Sequence, residues 1–140
     1  MHIQLATLKD YPRLVALDRL ARSNPNRRRW LRRAVRERVA YVLVDLGRIV
    51  AYGILTRSFF QRPFVEMLYV AEDERRKGYG ESLLAALEDR GLRHGDLWTS
   101  TNRSNKPMRR LLKKRGFALA GRISGLDAGD PELFYHKTKR

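Results

Sequence analysis

No cysteine occurs among the 140 residues. Disulfide scaffolds, zinc fingers and thiol nucleophiles depend on that sulfur, and all three are excluded. Long apolar runs are also missing. None approaches the roughly 20 residues that cross a bilayer, and the start Met1-His2-Ile3-Gln4 lacks the basic-then-apolar pattern of an export signal. A soluble, unexported, cytoplasmic protein with no membrane partner is therefore expected. Acidic residues are scarce, 15 Asp and Glu against 30 Lys and Arg, for a net charge of +15. A field of that sign attracts nucleic acid, acidic lipid and phosphorylated cofactors alike, and does not choose among them. The three histidines, His2, His94 and His136, lack metal-ligand spacing, so no metal site is expected.

What is present suits one domain over residues 1–140, long enough to bury a core without staples. After a short apolar opening at residues 3–6, Asp10 and Pro12 start a predicted helix over 11–22, with Leu14, Val15, Leu17, Leu20 and Ala21 along one face. Ser23-Asn24-Pro25-Asn26 stops it. A basic amphipathic helix follows over 27–38, seven arginines in twelve residues around Trp30, Leu31, Ala34 and Val35. Runs rich in Val, Ile, Leu and Tyr at 39–45 and 48–59 flank Leu46-Gly47 and read as a hairpin, and Phe64–Val70 is a third strand. A helix from Tyr79 to Arg90 is predicted to end on Gly91, a strand at 96–101 precedes a helix capped by Ser104 or Asn105, Gly116 ends that helix, and strands near 117–123 and 132–137 close the chain. This order implies an α/β fold: a mixed sheet of six to seven strands with helices on both faces.

The segment Arg75-Arg76-Lys77-Gly78-Tyr79-Gly80 follows a strand and opens a helix. Such a turn aims unpaired main-chain N–H groups and the positive end of the helix dipole at one point, where phosphate is the natural occupant. The dinucleotide pattern G-x-G-x-x-G fails because Leu83 stands at its third glycine, and no G-x-x-x-x-G-K-[ST] occurs. The form R-x-x-G-x-G, five residues beyond Val70, resembles the acetyl-CoA signature of the GNAT superfamily of N-acetyltransferases. Asn105, eleven residues before Gly116-Phe117, is similar to that family's second stretch. The likeness covers the chain.

The resemblance implies a GNAT-like fold and acetyl-CoA as co-substrate. Main-chain N–H groups from Arg75, Arg76, Lys77, Gly78, Tyr79 and Gly80 would hold the CoA diphosphate, with the charges of Arg76 and Lys77 assisting. Glu81 sets a carboxylate beside that site and Ser82 a hydroxyl. The backbones of Leu68, Tyr69 and Val70 would pair with the pantetheine arm and polarise the thioester carbonyl, and Asn105 would bond near the cofactor's amides. An amine of pKa about 10.4 is almost wholly protonated at neutral pH, so a base helps. Glu66, interrupting an apolar strand, is the candidate; an ion pair with an arginine or a rim position is its structural alternative. The family's frequent general acid, a Tyr four residues before Gly-Phe, is here Leu112. Tyr135 takes its place, or water does, or no donor is needed. With no thiol and no Ser-His pairing, direct transfer in a ternary complex is expected.

Asp127, Asp130 and Glu132 stand out in so basic a chain and suggest, with Glu66, an acidic pocket for a small cationic amine; a plain polar turn is the alternative. The 27–38 helix supports a rival partner, nucleic acid, for an enzyme acting on aminoacyl-tRNA or a ribosomal protein. Against it, only Trp30 interleaves the arginines, so nucleic acid is not the favoured partner. A third reading is a CoA-binding sensor without turnover. A monomer and a homodimer fit the sequence equally.

Overall fold

The structure is a computed structural model that describes residues 1–139; Arg140, the last residue of the expected domain, lies outside them. Seven strands, β1 (His2–Leu5), β2 (Ala40–Asp45), β3 (Arg48–Phe59), β4 (Arg62–Val70), β5 (Leu97–Asn102), β6 (Ala118–Ile123) and β7 (Glu132–Lys137), form one sheet in the order β1-β2-β3-β4-β5-β7-β6. The β4–β5 pair is parallel and the β1–β2, β2–β3, β5–β7 and β6–β7 pairs are antiparallel, so the sheet is mixed, as expected. The helices are α1 (Tyr11–Leu17), α2 (Arg19–Ser23), α3 (Pro25–Arg36), α4 (Tyr79–Gly91) and α5 (Lys106–Lys114). None is long and apolar enough to cross a membrane.

The chain divides into two compact units. The first comprises Met1–Leu55 and Met67–Leu87, the second Thr56–Glu66 and the chain from Glu88 onward. In the first unit β3 alternates faces. Tyr52 and Ile54 enter a core with Leu14, Leu17, Leu31, Ala34, Val35 and Val42, the inward faces of α1, α3 and β2. Gly53 faces α4: a Cβ there would lie 2.8 Å from Leu87 and 3.2 Å from the Met67 carbonyl, so only glycine lets the helix this close. The β2–β3 turn, Leu46-Gly47, has positive φ at both residues (52° and 75°), the pattern of a type I′ hairpin.

The helix expected over 11–22 is two helices. Asp18 leaves the helical conformation (φ −90°, ψ 106°) because its buried carboxylate is needed elsewhere. It caps α2 through the N–H groups of Leu20 and Ala21, and accepts from Arg27 Nε at 3.1 Å and from the Tyr52 hydroxyl. Burial, then the Asp18 contact, raises the Tyr52 pKa. Leu20 consequently turns outward, 48% exposed. Asp10 precedes α1 as expected but holds the Thr7 N–H rather than capping it. The basic helix starts earlier than expected, at Pro25, since the Asn24 side chain accepts from the Arg27 N–H.

In the second unit β5 pairs β7 over its whole length and β4 at Phe64–Trp98 and Val65–Thr99. Buried Glu88 binds Arg115 at 2.9 Å and Lys137 at 2.6 Å, tying the end of α4 to the end of α5 and to β7. Gly91 is the last residue of α4 rather than its cap: it is helical (φ −67°), and the chain turns only after a 3-10 segment, at Gly95 with φ 134°. Gly116, at φ 85°, does end α5.

Replacing Asp18 with Ala strands a half-buried guanidinium and a buried hydroxyl together. We expect Asp18→Ala to cost about 3 kcal/mol in urea unfolding, and Tyr52→Phe, which removes one hydrogen bond, about 1 kcal/mol.

Candidate active site

The loop between β4 and α4 is bent by positive φ at Arg76 (65°) and Gly78 (82°), and left-handed residues set among right-handed ones are what build anion-binding concavities of main-chain amides. Among the described residues no hydrogen bond engages the main-chain N–H groups of Arg76 through Gly80. The next turn is already closed, since the Ser82 N–H donates to the Gly78 carbonyl at 3.1 Å. A Cβ on Gly78 would meet nothing within 4 Å, so it is the φ that requires glycine. An exposed run of unpartnered N–H groups at the start of a 13-residue helix fits an anionic diphosphate.

Two anchors hold this conformation, both built on the β2–β3 hairpin. Before the loop, the Glu74 carboxylate is 2% exposed and pairs with Arg48 and Lys77, each at 2.7 Å. After it, the Tyr79 hydroxyl donates to Asp45 at 2.5 Å. Asp45 and Arg48 flank the tight turn, so the turn chemistry sets the loop. The Tyr79 hydrogen bond holds the Asp45 carboxyl below its ordinary pKa and raises that of Tyr79.

The three cations of the loop therefore differ. Lys77, expected to assist the phosphates, is engaged by Glu74. Arg75 folds back, donating to the Val70 carbonyl at 3.2 Å with its guanidinium 5.5 Å from the centre of the Tyr69 ring. Arg76 alone of the three is exposed with no partner among the described residues. The side chain of Tyr69 is structural: its hydroxyl accepts from the Arg19 N–H and its ring stacks on Tyr52. The backbone of its strand is oriented by the Ala71 N–H, which donates to Val50 on β3. By strand alternation the N–H groups of Leu68 and Val70 point to the other edge of β4. Glu81 and Ser82 occupy the first turn of α4, both half-buried.

In the second unit, Glu66 accepts at one oxygen, Oε2, from Thr56 (2.6 Å) and Ser58 (2.8 Å). Among the described residues it makes no ion pair, and Oε1 accepts no hydrogen bond. Phe64 and Glu66 share a face of β4. On that face Phe64, Phe59, Trp98 and Phe134 cluster, with ring centres 4.8 Å apart for Phe59–Phe64 and 5.7 Å for Phe59–Phe134. All four rings are half-buried. Glu132 shares the face and accepts from Ser100 at 2.7 Å. Thr56, Ser58 and this aromatic platform escape the sequence reading, although the alternation of Phe64 with Glu66 is its visible trace.

Tyr135 is not brought to Glu66. It pairs across Thr99, which pairs Val65, so it occupies the opposite face of the sheet. Asp127 and Asp130 form no free acidic pocket either. Asn102 donates to Asp127 at 2.9 Å, and the Ser104 N–H and hydroxyl both donate to Asp130, the hydroxyl bond holding that carboxyl below its ordinary pKa. These bonds latch the loop, and Arg103 and Arg122 line the same hollow of about 210 Å³. Asn105 is the N-cap of α5: its Oδ1 accepts from the Met108 N–H at 3.2 Å, leaving its amide Nδ2 as a donor with no partner among the described residues.

A loop of this kind after a strand, opening a helix on a mixed sheet, fits a protein that binds a phosphorylated cofactor. The model of the Acetyltransferase (GNAT) family matches residues 6–117, and the chain belongs to that family. A GNAT-family acetyltransferase from Bacillus cereus ATCC 10987 superposes with a TM-score of 0.88 at 27% identity, over 99% of this chain and 97% of that one. The ribosomal-protein-alanine N-acetyltransferase of Brucella melitensis gives 0.78 at 25% identity over 99% of both chains. Salmonella typhimurium yncA, solved with its cofactor acetyl-CoA, gives 0.78 at 22% identity over 100% and 94%, a likeness of fold. No curated protein matches the chain.

Tyr79→Phe removes the bond that closes the loop, and should weaken CoA binding about fivefold at pH 7 by calorimetry. Asp45 titrates below its ordinary 3.8 and Tyr79 above its ordinary 10.0. The bond thus persists between those limits and is lost as pH falls through the one or rises through the other. The wild-type-to-variant affinity ratio should stay constant between about pH 5 and pH 9.

Proposed function

We propose that this protein is an N-acetyltransferase of residues 1–140, acting in the cytoplasm, which moves the acetyl group of acetyl-CoA directly to the primary amine of a small cationic molecule. The observation that carries the reading is the unpartnered N–H run from Arg76 to Gly80. The family match crosses both compact units, which supports treating 1–140 as one functional domain.

Acetyl-CoA, when bound, supplies the acetyl group as an activated thioester. The loop N–H groups from Arg75 to Gly80 and the Arg76 guanidinium hold the diphosphate, with the Ser82 hydroxyl and Glu81 at its margin. The Leu68 and Val70 N–H groups serve as donors to the pantetheine amide and the reacting carbonyl, with Tyr69 keeping the strand in place. Asn105 offers its Nδ2 to a cofactor amide. Glu66, its Oε2 fixed by two hydroxyls, takes the ammonium proton at Oε1, directly or through water, so that the amine attacks as a free base. The C–N bond forms, the C–S bond breaks, and the proton shed by the acylated nitrogen passes through water to the departing thiolate, with no dedicated acid, since Tyr135 is on the other face. The acceptor's positive charge is met by Glu66, Glu132 and the aromatic faces of Phe64 and Phe134, a platform suited to cations.

Glu66→Gln keeps the shape and both hydroxyl contacts but cannot accept the proton. We expect kcat to fall about 100-fold with KM for acetyl-CoA unchanged, measured as thiol release on a panel of diamines and amino sugars. An equal loss in KM for acetyl-CoA would remove the base assignment, and no turnover of any amine by wild type would leave a CoA-binding sensor.

One observation favours a second reading, a nucleic-acid-associated acetyltransferase. Arg27 and Arg28 of α3 are engaged internally, with Asp18 and with the Ala21 carbonyl, while Arg29, Arg32, Arg33 and Arg36 form an exposed stripe with no acidic partner among the described residues. The apolar face of α3 is buried, which leaves nothing to insert into a bilayer. If single-stranded RNA occupies the stripe, log K should fall against log salt with a slope of about −3, and replacing the four arginines with Gln should abolish that slope. An unchanged slope would confine the enzyme to small amines.

A further inference from the structure

The second unit holds a groove of about 480 Å³ between one flank of α5 and strands β6 and β7. Its rim is Lys106, Arg109, Arg110 and Lys113, four cations at i, i+3, i+4 and i+7. Its floor is the exposed Leu119, with the edges of Phe117 and Tyr135, 6% and 7% exposed, beside it. No carboxylate lines it, and none of the four cations forms an ion pair among the described residues. The pairs 106–110 and 109–113 place like charges one turn apart, which disfavours a helix of only nine residues unless an anion intervenes. Arg109 is pre-positioned, its Nη1 donating to the Arg103 carbonyl at 2.9 Å with the rest of the guanidinium fork unengaged. Leu119 is 61% exposed, so the floor has apolar surface that the protein does not cover.

Three features narrow the occupant. Arg115, on the opposite flank of α5, reaches Glu88 at the end of α4, so the groove opens away from that end. Strand β6 is the sheet edge, but its ladder is shifted between Leu119 and Gly121 and it carries Arg122, which opposes addition of a peptide strand. The volume lies within the roughly 300–1,000 Å³ of small-molecule sites. Four cations exceed what one carboxylate needs, while arginine forks suit phosphate oxygens and the apolar floor, exposed at Leu119, suits the face of a base.

We propose that this groove is a second ligand site, distinct from the acetyl-CoA loop, which takes a nucleotide, its phosphates between the α5 cations and its base over Leu119. The chemistry is the same for a free nucleotide and for the 5′-terminal nucleotide of an RNA.

The test is calorimetric titration of the full chain, saturated with CoA, with ATP and separately with a 5′-phosphorylated RNA hexamer. Binding of one equivalent in the presence of CoA is expected, weakened at least tenfold by Arg110→Gln with Lys113→Gln, and also by Leu119→Glu, whose carboxylate would occupy the floor. All three residues are exposed, and thiol-release activity without nucleotide should be unchanged in the variants. Hexamer affinity more than tenfold above ATP identifies an RNA end as the source, and equal affinities identify a free nucleotide. Loss of ATP binding when CoA is saturating, variants that bind as wild type, or no heat at millimolar ATP and hexamer would each overturn the proposal.

Discussion

The buried carboxylate of Glu74 decides the shape of the loop between β4 and α4. A charge 2% exposed must be compensated where it stands, and Arg48 and Lys77 do so from opposite sides of the chain. Together with the Tyr79–Asp45 bond, this fastens both ends of a loop whose middle has left-handed φ at Arg76 and Gly78. The unpartnered N–H groups are thus pre-organised by a hairpin turn two strands earlier in the chain. An anion binding there meets donors already aimed, with little ordering left to do.

The same economy of roles runs through the basic residues. The 30 basic residues are not one undifferentiated field. Arg27 neutralises Asp18, Arg115 and Lys137 neutralise Glu88, Arg48 and Lys77 neutralise Glu74, and Arg75 covers a strand carbonyl. Eight further cations form two groups, Arg29, Arg32, Arg33 and Arg36 on the outer stripe of α3 and Lys106, Arg109, Arg110 and Lys113 on the flank of α5. Buried carboxylates absorb the structural arginines, and the remainder mark where anions can bind.

Local signals were legible in the sequence. Leu46-Gly47 named its turn, R-x-x-G-x-G marked the loop that opens α4, and Gly116 ended α5, because each depends on a few neighbouring residues. Features set by distant partners were not. Asp18 breaks a helix whose periodicity is unbroken, since Arg27 and Tyr52 claim its side chain. The β3–β4 turn at Phe60-Gln61 takes positive φ at both residues without a glycine to announce it. Lys77 looks like a phosphate ligand until Glu74 is seen beside it. Tyr135 looks like a replacement acid until the ladder through Thr99 puts it on the far face from Glu66. Strand parity from Glu66 to Tyr135 requires the register of three strands, which pattern alone does not give.

Amide chemical shifts of the ¹⁵N-labelled protein, followed as inorganic pyrophosphate and then CoA are added, test the loop directly. The account predicts that the N–H signals of Arg76 to Gly80 move strongly downfield with both ligands, as hydrogen bonds to phosphate oxygens form. CoA binding that leaves those five amides where they are would contradict it.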